Sequence, residues 1–421
     1  MNEQHPWFRR NLLLLTVDFV SFTVGFAFFD PLVVVPVFTQ MLTGSGLAVG
    51  ILASLRIVFI TLPQVWAASV LATSSRYKPL FLGSSIAGRL PVAVLAVVVF
   101  FYAASAPWLV LAVLGLAVAL FYSSEGLNSI AWPAMFGKLL PASIRGRFLG
   151  MGQLLSSLGA LAAGYLIQRI LSSDGPAYPV NWSLMFTCAS VGLFGSVLAI
   201  GLLRELTDRK PSAAVDVRKS IALLVRHVRE DPRLRRIVRV EILLGLASSV
   251  FPFLVLRAQD LVPQGPEVIG TYLIVQNLGG MAAAAICGNI VDRVGSWAAV
   301  RLSTLIETIT LALVTLAPVL GAPYIVYLTA FALLGFVTGS SWWTFTAYLM
   351  DIADEDRRPA YLAASGVLKS MVFVASLAVG ATYGKVSPEV VFGLALLCSV
   401  GALVTSLKLA RIRAGVPLRS A

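Results

Sequence analysis

The chain has 421 residues, of which 58% are hydrophobic and only 12% are charged, and its mean hydropathy is +0.87. Such an excess of apolar side chains is more than one soluble core needs, which excludes an ordinary soluble globular protein. The net charge of +12 could indicate nucleic acid, but Lys and Arg lie in the short connections between apolar runs. Membrane lipids are therefore the expected anionic neighbours, and no nucleic-acid partner is expected.

Apolar runs long enough to cross a bilayer recur along the chain and predict an all-α polytopic membrane protein with twelve transmembrane helices. The predicted spans are 11–38, 47–72, 79–102, 108–136, 146–171, 179–204, 236–258, 266–291, 297–319, 322–351, 360–384 and 388–410. No small-residue cleavage site follows the N-terminal segment, so we expect the first span to be retained.

The connections alternate between rich and poor in Lys and Arg, which predicts the orientation of the spans. The poor set holds only Arg169, Arg257 and Lys385. Because cytoplasmic loops carry the positive excess, we expect a multi-pass protein of the cytoplasmic membrane with both termini in the cytoplasm.

The longest connection, 205–235, is strongly basic and divides the chain into two predicted six-helix bundles, 1–204 and 236–421. Apolar and basic residues alternate at helical spacing within it, which predicts an amphipathic helix on the inner leaflet.

The two halves resemble each other. Segment 139–152 aligns with 352–365, and a second alignment places Pro31 of "FFDPLVVV" on Pro252 of "SVFPFLVL". This pattern indicates a parallel duplication, in which two bundles face each other across a central cavity suited to alternating access. The prolines predict a helix bend that the two halves share.

The connection after the eighth span reads "GNIVDRVG". It resembles the G-x-x-x-D-R-x-G signature of the major facilitator superfamily, and the six-plus-six layout, the basic central loop and "RGR" after the fourth span agree with it. The resemblance implies two parallel-repeat six-helix bundles and a latch that holds one conformation. The residues assigned to this latch are Gly288, Asp292, Arg293, Gly295, Arg145 and Arg147. A plain interfacial turn with an orienting arginine is the alternative.

The sequence also departs from the family pattern. Ser296 and Trp297 stand where a basic pair usually follows, and the first-half copy of the motif keeps only Arg76 and Lys78. Tyr122 stands where proton-coupled drug exporters carry an arginine. The chain therefore looks more like a broad prokaryotic group of this superfamily with poorly defined substrates.

Polar and charged residues inside predicted spans are candidates for substrate binding or proton coupling, because isolated charges are costly in lipid. The cavity candidates are Asp30, Arg56, Glu125, Asn128, Gln276 and Asn277. Arg89 and Glu307 lie in spans that are peripheral in the family, so coupling and structural support are both open for them. Asp18 and Glu241 are expected near the membrane interface.

Asp30 and Arg56 lie at similar depth in the first two spans, which are adjacent, so the two side chains are expected to meet. The pair is either a fixed structural contact or a switch that opens when Asp30 is protonated or when an anionic substrate takes Arg56.

The leading functional hypothesis is a secondary active transporter that moves a small organic solute by alternating access, coupled to protons. An uncoupled facilitator and a non-transporting receptor or scaffold with the same fold are the alternatives. The spans show no catalytic or metal-ligating cluster and no Walker motif, so neither an enzyme nor a cofactor is expected. A monomer is expected, and import and export are both open.

Overall fold

The computed structural model describes residues 7–73, 76–140, 142–205, 228–262, 264–353, 361 and 372–410. The helices are α1 (Phe8–Ala27), α2 (Val34–Thr43), α3 (Gly46–Thr73), α4 (Lys78–Tyr102), α5 (Pro107–Leu139), α6 (Ala142–Leu171), α7 (Val180–Leu202), α8 (Pro232–Ser248), α9 (Phe251–Leu261), α10 (Val268–Arg293), α11 (Ser296–Leu316), α12 (Pro323–Ile352), α13 (Phe373–Thr382) and α14 (Pro388–Ser406).

Eleven helical segments of the described chain are long and apolar enough to cross a membrane, by length and composition. One of them combines α8 and α9, and α2 and α13 are shorter apolar helices. The helix α2 completes the first predicted span, while α13 lies in the eleventh, part of which falls outside the described residues. These segments confirm the prediction of an all-α polytopic membrane protein.

The first predicted span is interrupted between α1 and α2, at residues 28–33. Pro31 has no N–H to donate to a helical hydrogen bond. Asp30 Oδ1 accepts the backbone N–H groups of Leu32 and Val33, each at 2.8 Å. The expected bend is therefore a complete break, and the carboxylate of Asp30 caps the turn that leads into α2.

The seventh predicted span has a break at the corresponding place. There α8 ends at Ser248 and α9 begins at Phe251, with Pro252 in its first turn. Phe251 stands where the first half has Asp30, and it is buried with 4% exposure. The interruption is thus common to both halves, whereas the capping carboxylate is specific to the first.

Internal contacts divide the chain into two compact units, one of Met1–Val217 with Gln264–Thr271 and one of Arg218–Pro263 with Tyr272–Ala421. Each unit has its own apolar core. Phe148 and Tyr361, which the sequence repeat aligns, are 7% and 2% exposed and belong to the cores of the first and second unit, respectively.

Glycines bring helix backbones of the first unit into direct contact. A Cβ atom on Gly25 of α1 would lie 2.6 Å from the backbone nitrogen of Leu193 in α7, and one on Gly192 would lie 2.6 Å from the Gly25 backbone. A Cβ atom on Gly126 of α5 would lie 2.2 Å from the carbonyl oxygen of Ile60 in α3. Small residues are the usual means of close helix packing in membranes.

In the second unit, α10 and α12 cross in the same way. A Cβ atom on Gly279 would lie 1.8 Å from the carbonyl oxygen of Ala332, and one on Gly335 would lie 1.8 Å from that of Gln276. The glycines after Gln276 therefore serve a helix crossing.

Basic residues cap the last helix of each half. Lys78 Nζ, at the start of α4, donates to the carbonyl oxygens of Gly201 and Leu203 at the end of α7, at 2.6 and 2.7 Å. The Glu205 carboxylate accepts the Lys78 backbone N–H at 2.9 Å and pairs with Lys138 Nζ at 3.1 Å. The unpaired carbonyls at the helix end and the positive helix start are thus both satisfied.

The second unit repeats the first of these contacts with a different side chain. Arg301 of α11 donates to the carbonyl oxygens of Ser406, Leu407 and Leu409 at 2.8–3.2 Å, at the end of α14. Helices α4 and α11 are the third spans of their halves, and α7 and α14 are the sixth. The shared contact agrees with a parallel duplication.

Candidate functional site

Asp18 of α1 and Arg89 of α4 are connected inside the first unit through α7. They are 3% and 1% exposed. Ser196 Oγ donates to Asp18 Oδ1 and accepts a hydrogen bond from Arg89 Nη1 at 3.0 Å. Arg89 Nη1 also donates to the Leu193 carbonyl oxygen at 3.0 Å, and Trp132 Nε1 donates to Asp18 Oδ2 at 2.9 Å. Both oxygens of the Asp18 carboxylate therefore have a donor.

Glu125 of α5 is a second carboxylate beside the same guanidinium, and its contacts are longer. Its Oε1 atom lies 3.8 Å from Arg89 Nη2 and 3.4 Å from Asn128 Nδ2. The Glu125 side chain is 19% exposed, against 1% for Arg89. Asn128 is held by α4, since its Nδ2 donates to Ser85 Oγ at 3.0 Å and its Oδ1 accepts from Ser84 Oγ at 2.9 Å.

Asp18, Arg89, Glu125, Asn128 and Ser196 form what we call the Arg89 cluster. It contains two carboxylates and one guanidinium. With both carboxylates ionised, the cluster has one more negative than positive charge, which is costly inside a membrane. A proton on one carboxylate removes this imbalance. Glu125 is the better place for it, because both Asp18 oxygens already accept hydrogen bonds.

Arg56 of α3 does not contact Asp30 as the sequence led us to expect. No nitrogen–oxygen distance of 4.0 Å or less joins these two side chains, and the Asp30 carboxylate instead accepts backbone N–H groups. The guanidinium carbon of Arg56 lies 6.0 Å from the centre of the Tyr122 ring. The hydroxyl of Tyr122 is buried near the Arg56 guanidinium, and its own O–H has no acceptor among the described residues.

The crossing of α3 and α5 fixes the position of Arg56. Arg56 stands one helical turn before Ile60, and Tyr122 stands one turn before Gly126, at the point where the two backbones meet. Tyr122 and Glu125 are three residues apart and share a face of α5. Arg56 and Glu125 of the Arg89 cluster both lie within electrostatic range of Tyr122.

The candidates in the second unit have fewer polar contacts. Asn277 Nδ2 donates to the Leu273 carbonyl oxygen of its own helix at 2.8 Å. In the described part of the unit, Gln276 Oε1 and Glu307 Oε1 are buried without a hydrogen-bond partner. No hydrogen bond joins Gln276, Asn277 and Glu307 there. Nor do the described residues contain a group of three His, Cys, Asp or Glu side chains arranged to hold a metal ion.

The sequence matches the family model of the Major Facilitator Superfamily over residues 16–381. The chain belongs to this superfamily. A search of curated proteins finds no match to the sequence.

Solved structures of superfamily transporters share the fold at low sequence identity. A D-xylose–proton symporter superposes with a TM-score of 0.72 at 13% identity, over 97% of this chain and 99% of that one. A mutant of the nucleoside transporter NupG gives a TM-score of 0.71 at 12% identity, over 94% of this chain and 99% of that one. A bacterial homologue of the iron transporter ferroportin, in its inward-facing state, gives a TM-score of 0.70 at 13% identity, over 95% of this chain and 98% of that one. The twelve-helix fold of the major facilitator superfamily fits the chain.

The superfamily signature lies at the junction of α10 and α11. Gly295 has φ of 119°, a conformation that requires glycine. At Gly288 no atom of the described chain lies within 4 Å of the place that a Cβ atom would take. Asp292 and Arg293 are both exposed at the end of α10.

The departures from the signature have local explanations. Ser296 Oγ donates to Asp351 Oδ2 and so ties the start of α11 to the end of α12. The Arg301 guanidinium carbon lies 4.5 Å from the centre of the Trp297 ring. The side chains of Arg145 and Arg147 lie outside the described residues.

Asp18 is the functional candidate that sequence reasoning missed, together with its partners Ser196 and Trp132. Asp18 was expected near the membrane interface; the structure places it about 15 Å along α1, which begins at Phe8, at 1.5 Å per residue, and buries it with 3% exposure. Glu241, given the same expectation, is also buried, with 3% exposure. A tryptophan inside a span needs an acceptor for its indole N–H, and this was the available signal.

Proposed function

We propose that this membrane transporter is a secondary active transporter that moves a small organic solute by alternating access and couples its movement to protons through the Arg89 cluster. It acts as a monomer in the cytoplasmic membrane, with both termini in the cytoplasm. The observation that supports coupling is the cluster's unequal count of buried charges, with two carboxylates against one guanidinium.

Protonation of Glu125 changes the forces on Arg89 in a defined way. The guanidinium keeps its bonds to Ser196 and Leu193 at 3.0 Å, while the 3.8 Å attraction to Glu125 is lost. A ligand or proton shifts a conformational equilibrium only by its difference in affinity for the two states. The Arg89–Glu125 contact supplies such a difference, because it is made only when Glu125 is ionised.

The test uses the full-length protein in proteoliposomes with an imposed pH gradient and a panel of small organic solutes. We expect a solute on this panel to drive proton flux. Glu125→Gln should abolish uphill accumulation while solute exchange remains measurable. Asp174→Asn, which neutralises an exposed carboxylate of the same unit, is the matched control and should behave as wild type.

Uphill accumulation by Glu125→Gln equal to that of wild type would overturn the role of Glu125. Solute exchange without any proton flux in wild type would instead identify an uncoupled facilitator. Saturable binding without exchange would identify a receptor.

A further inference from the structure

Arg56 is a positive charge within the membrane-spanning part of the first unit, and no described carboxylate lies in ion-pair contact with it. It is half-buried. Asp30 is within electrostatic range, but Asp30 Oδ1 is bonded to the backbone N–H groups of Leu32 and Val33. A cation at this depth is normally retained because it faces a cavity or a partner.

Tyr122 supplies a second free donor at the same place. Its hydroxyl oxygen lies near the Arg56 guanidinium, and its ring centre lies 6.0 Å from the guanidinium carbon. Among the described residues the buried hydroxyl has no acceptor for its own O–H. An unmade hydrogen bond at a buried hydroxyl costs about 1–3 kcal/mol. Both groups donate hydrogen bonds, so an acceptor with negative charge would satisfy them together.

We propose that the transported solute carries a carboxylate, and that Arg56 and Tyr122 bind it. This inference rests on the proposed transport function and names its substrate class. The planar guanidinium matches the two oxygens of a carboxylate. One guanidinium neutralises one negative charge, so a monocarboxylate fits better than a phosphate dianion.

The neighbouring charges link binding of this anion to the proton. The charged groups that act on Glu125 are Arg89 on α4 and Asp18 on α1. Arg56 on α3, Asp30 before α2 and Glu125 itself all act on Tyr122, which lies one turn before Glu125 on α5. A carboxylate bound by Arg56 and Tyr122 adds a negative charge beside Tyr122, which lies one turn before Glu125 on α5. An ionised Glu125 repels it and a protonated Glu125 does not, so the anion binds together with a proton.

The experiment measures binding by calorimetry or thermal stabilisation of the purified full-length protein in detergent, with benzoate, lactate and pyruvate as probes and their amides as matched uncharged controls. We expect at least one of these acids to bind and its amide to bind at least tenfold more weakly. Arg56→Gln should weaken acid binding tenfold or more, Tyr122→Phe severalfold, and Arg56→Lys less than Arg56→Gln. Arg169→Gln, which removes an exposed arginine of the same unit, should leave binding unchanged.

Lowering the pH should strengthen acid binding by wild type, and Glu125→Gln should bind with little pH dependence. Equal binding of acid and amide, no binding of any acid, or unchanged acid binding by Arg56→Gln overturns the inference. If Arg56→Gln does not fold, full affinity in Arg56→Lys together with equal binding of acid and amide is the overturning result.

The two proposals fail separately. Acid binding that depends on Arg56, without proton flux in liposomes, leaves the carboxylate site standing and removes coupling. Proton flux that an uncharged solute drives, and that Arg56→Gln retains, leaves coupling standing and removes the carboxylate site.

Discussion

Replacing Asp30 separates a capping role from a role in proton coupling. Asp30→Ala removes the acceptor of the Leu32 and Val33 N–H groups, both held at 2.8 Å. Loss of a helix cap costs about 0.5–2 kcal/mol. Leaving each buried N–H without an acceptor costs about 1–3 kcal/mol. Because Asp30 is only 7% exposed, water does not replace the lost acceptor, and we expect about 2–4 kcal/mol of lost unfolding free energy.

Asp30→Asn keeps an oxygen at the position of Oδ1, so it should retain both hydrogen bonds to the backbone N–H groups. Its unfolding free energy should fall by less than about 1 kcal/mol. The assay is denaturant-induced unfolding of the purified protein in detergent, followed by tryptophan fluorescence. The Asn variant should also retain gradient-driven transport. If Asn destabilises as much as Ala, the capping argument is refuted. If Asn is stable but has lost proton coupling, Asp30 belongs to the coupling machinery after all.

Three further predictions concern helix contacts. Gly126→Ala places a Cβ atom 2.2 Å from a carbonyl oxygen of α3, whereas Gly115→Ala on the same helix meets only a side-chain carbon at 3.8 Å. Gly126→Ala should lose about 1–3 kcal/mol of unfolding free energy, and Gly115→Ala should be neutral. Equal effects of the two substitutions would contradict the crossing of α3 and α5. Glu205→Gln removes the 3.1 Å ion pair with Lys138 and should lower the thermal midpoint less in high salt than in low salt, whereas a salt-independent loss would count against an ionic contribution. Arg301→Gln removes up to three carbonyl contacts and should speed hydrogen exchange at the end of α14; unchanged exchange there would show that the cap contributes nothing.

The spans were predictable from sequence because each is an apolar run of membrane length. The breaks were predictable only in part. Pro31 and Pro252 each indicate a missing backbone N–H, but the loss of one hydrogen bond does not determine whether a helix bends or ends. In the first half it stops, because the carboxylate of Asp30 offers the next two N–H groups a better acceptor than a continued helix would.

The candidate site was harder to predict, because its contacts join residues far apart in sequence. Ser196 is 178 residues from Asp18, and Trp132 is 114 residues from it. The cost of a charge in lipid marked Arg89 and Glu125 as candidates. It could not show that they share one cluster, since that depends on how α4, α5 and α7 pack around glycine contacts.

The misassigned pair of Asp30 and Arg56 has a definite physical reason. Depth in the membrane can be counted from the sequence, and it places the two side chains at the same level. It does not reveal competing backbone donors. The N–H groups of Leu32 and Val33 donate to the Asp30 carboxylate oxygen that we had expected Arg56 to contact.

The glycine contact between α1 and α7 has a consequence for the proposed proton coupling of the first unit. With the Gly25 and Gly192 backbones already touching, these helices have no room to slide or rotate past each other. Asp18 and Ser196, one on each helix, therefore keep a constant separation. Under the proposed coupling we expect a change of charge to alter the rotamers of Arg89 and Glu125, and the amide protection of α1 and α7 to be the same at high and low pH.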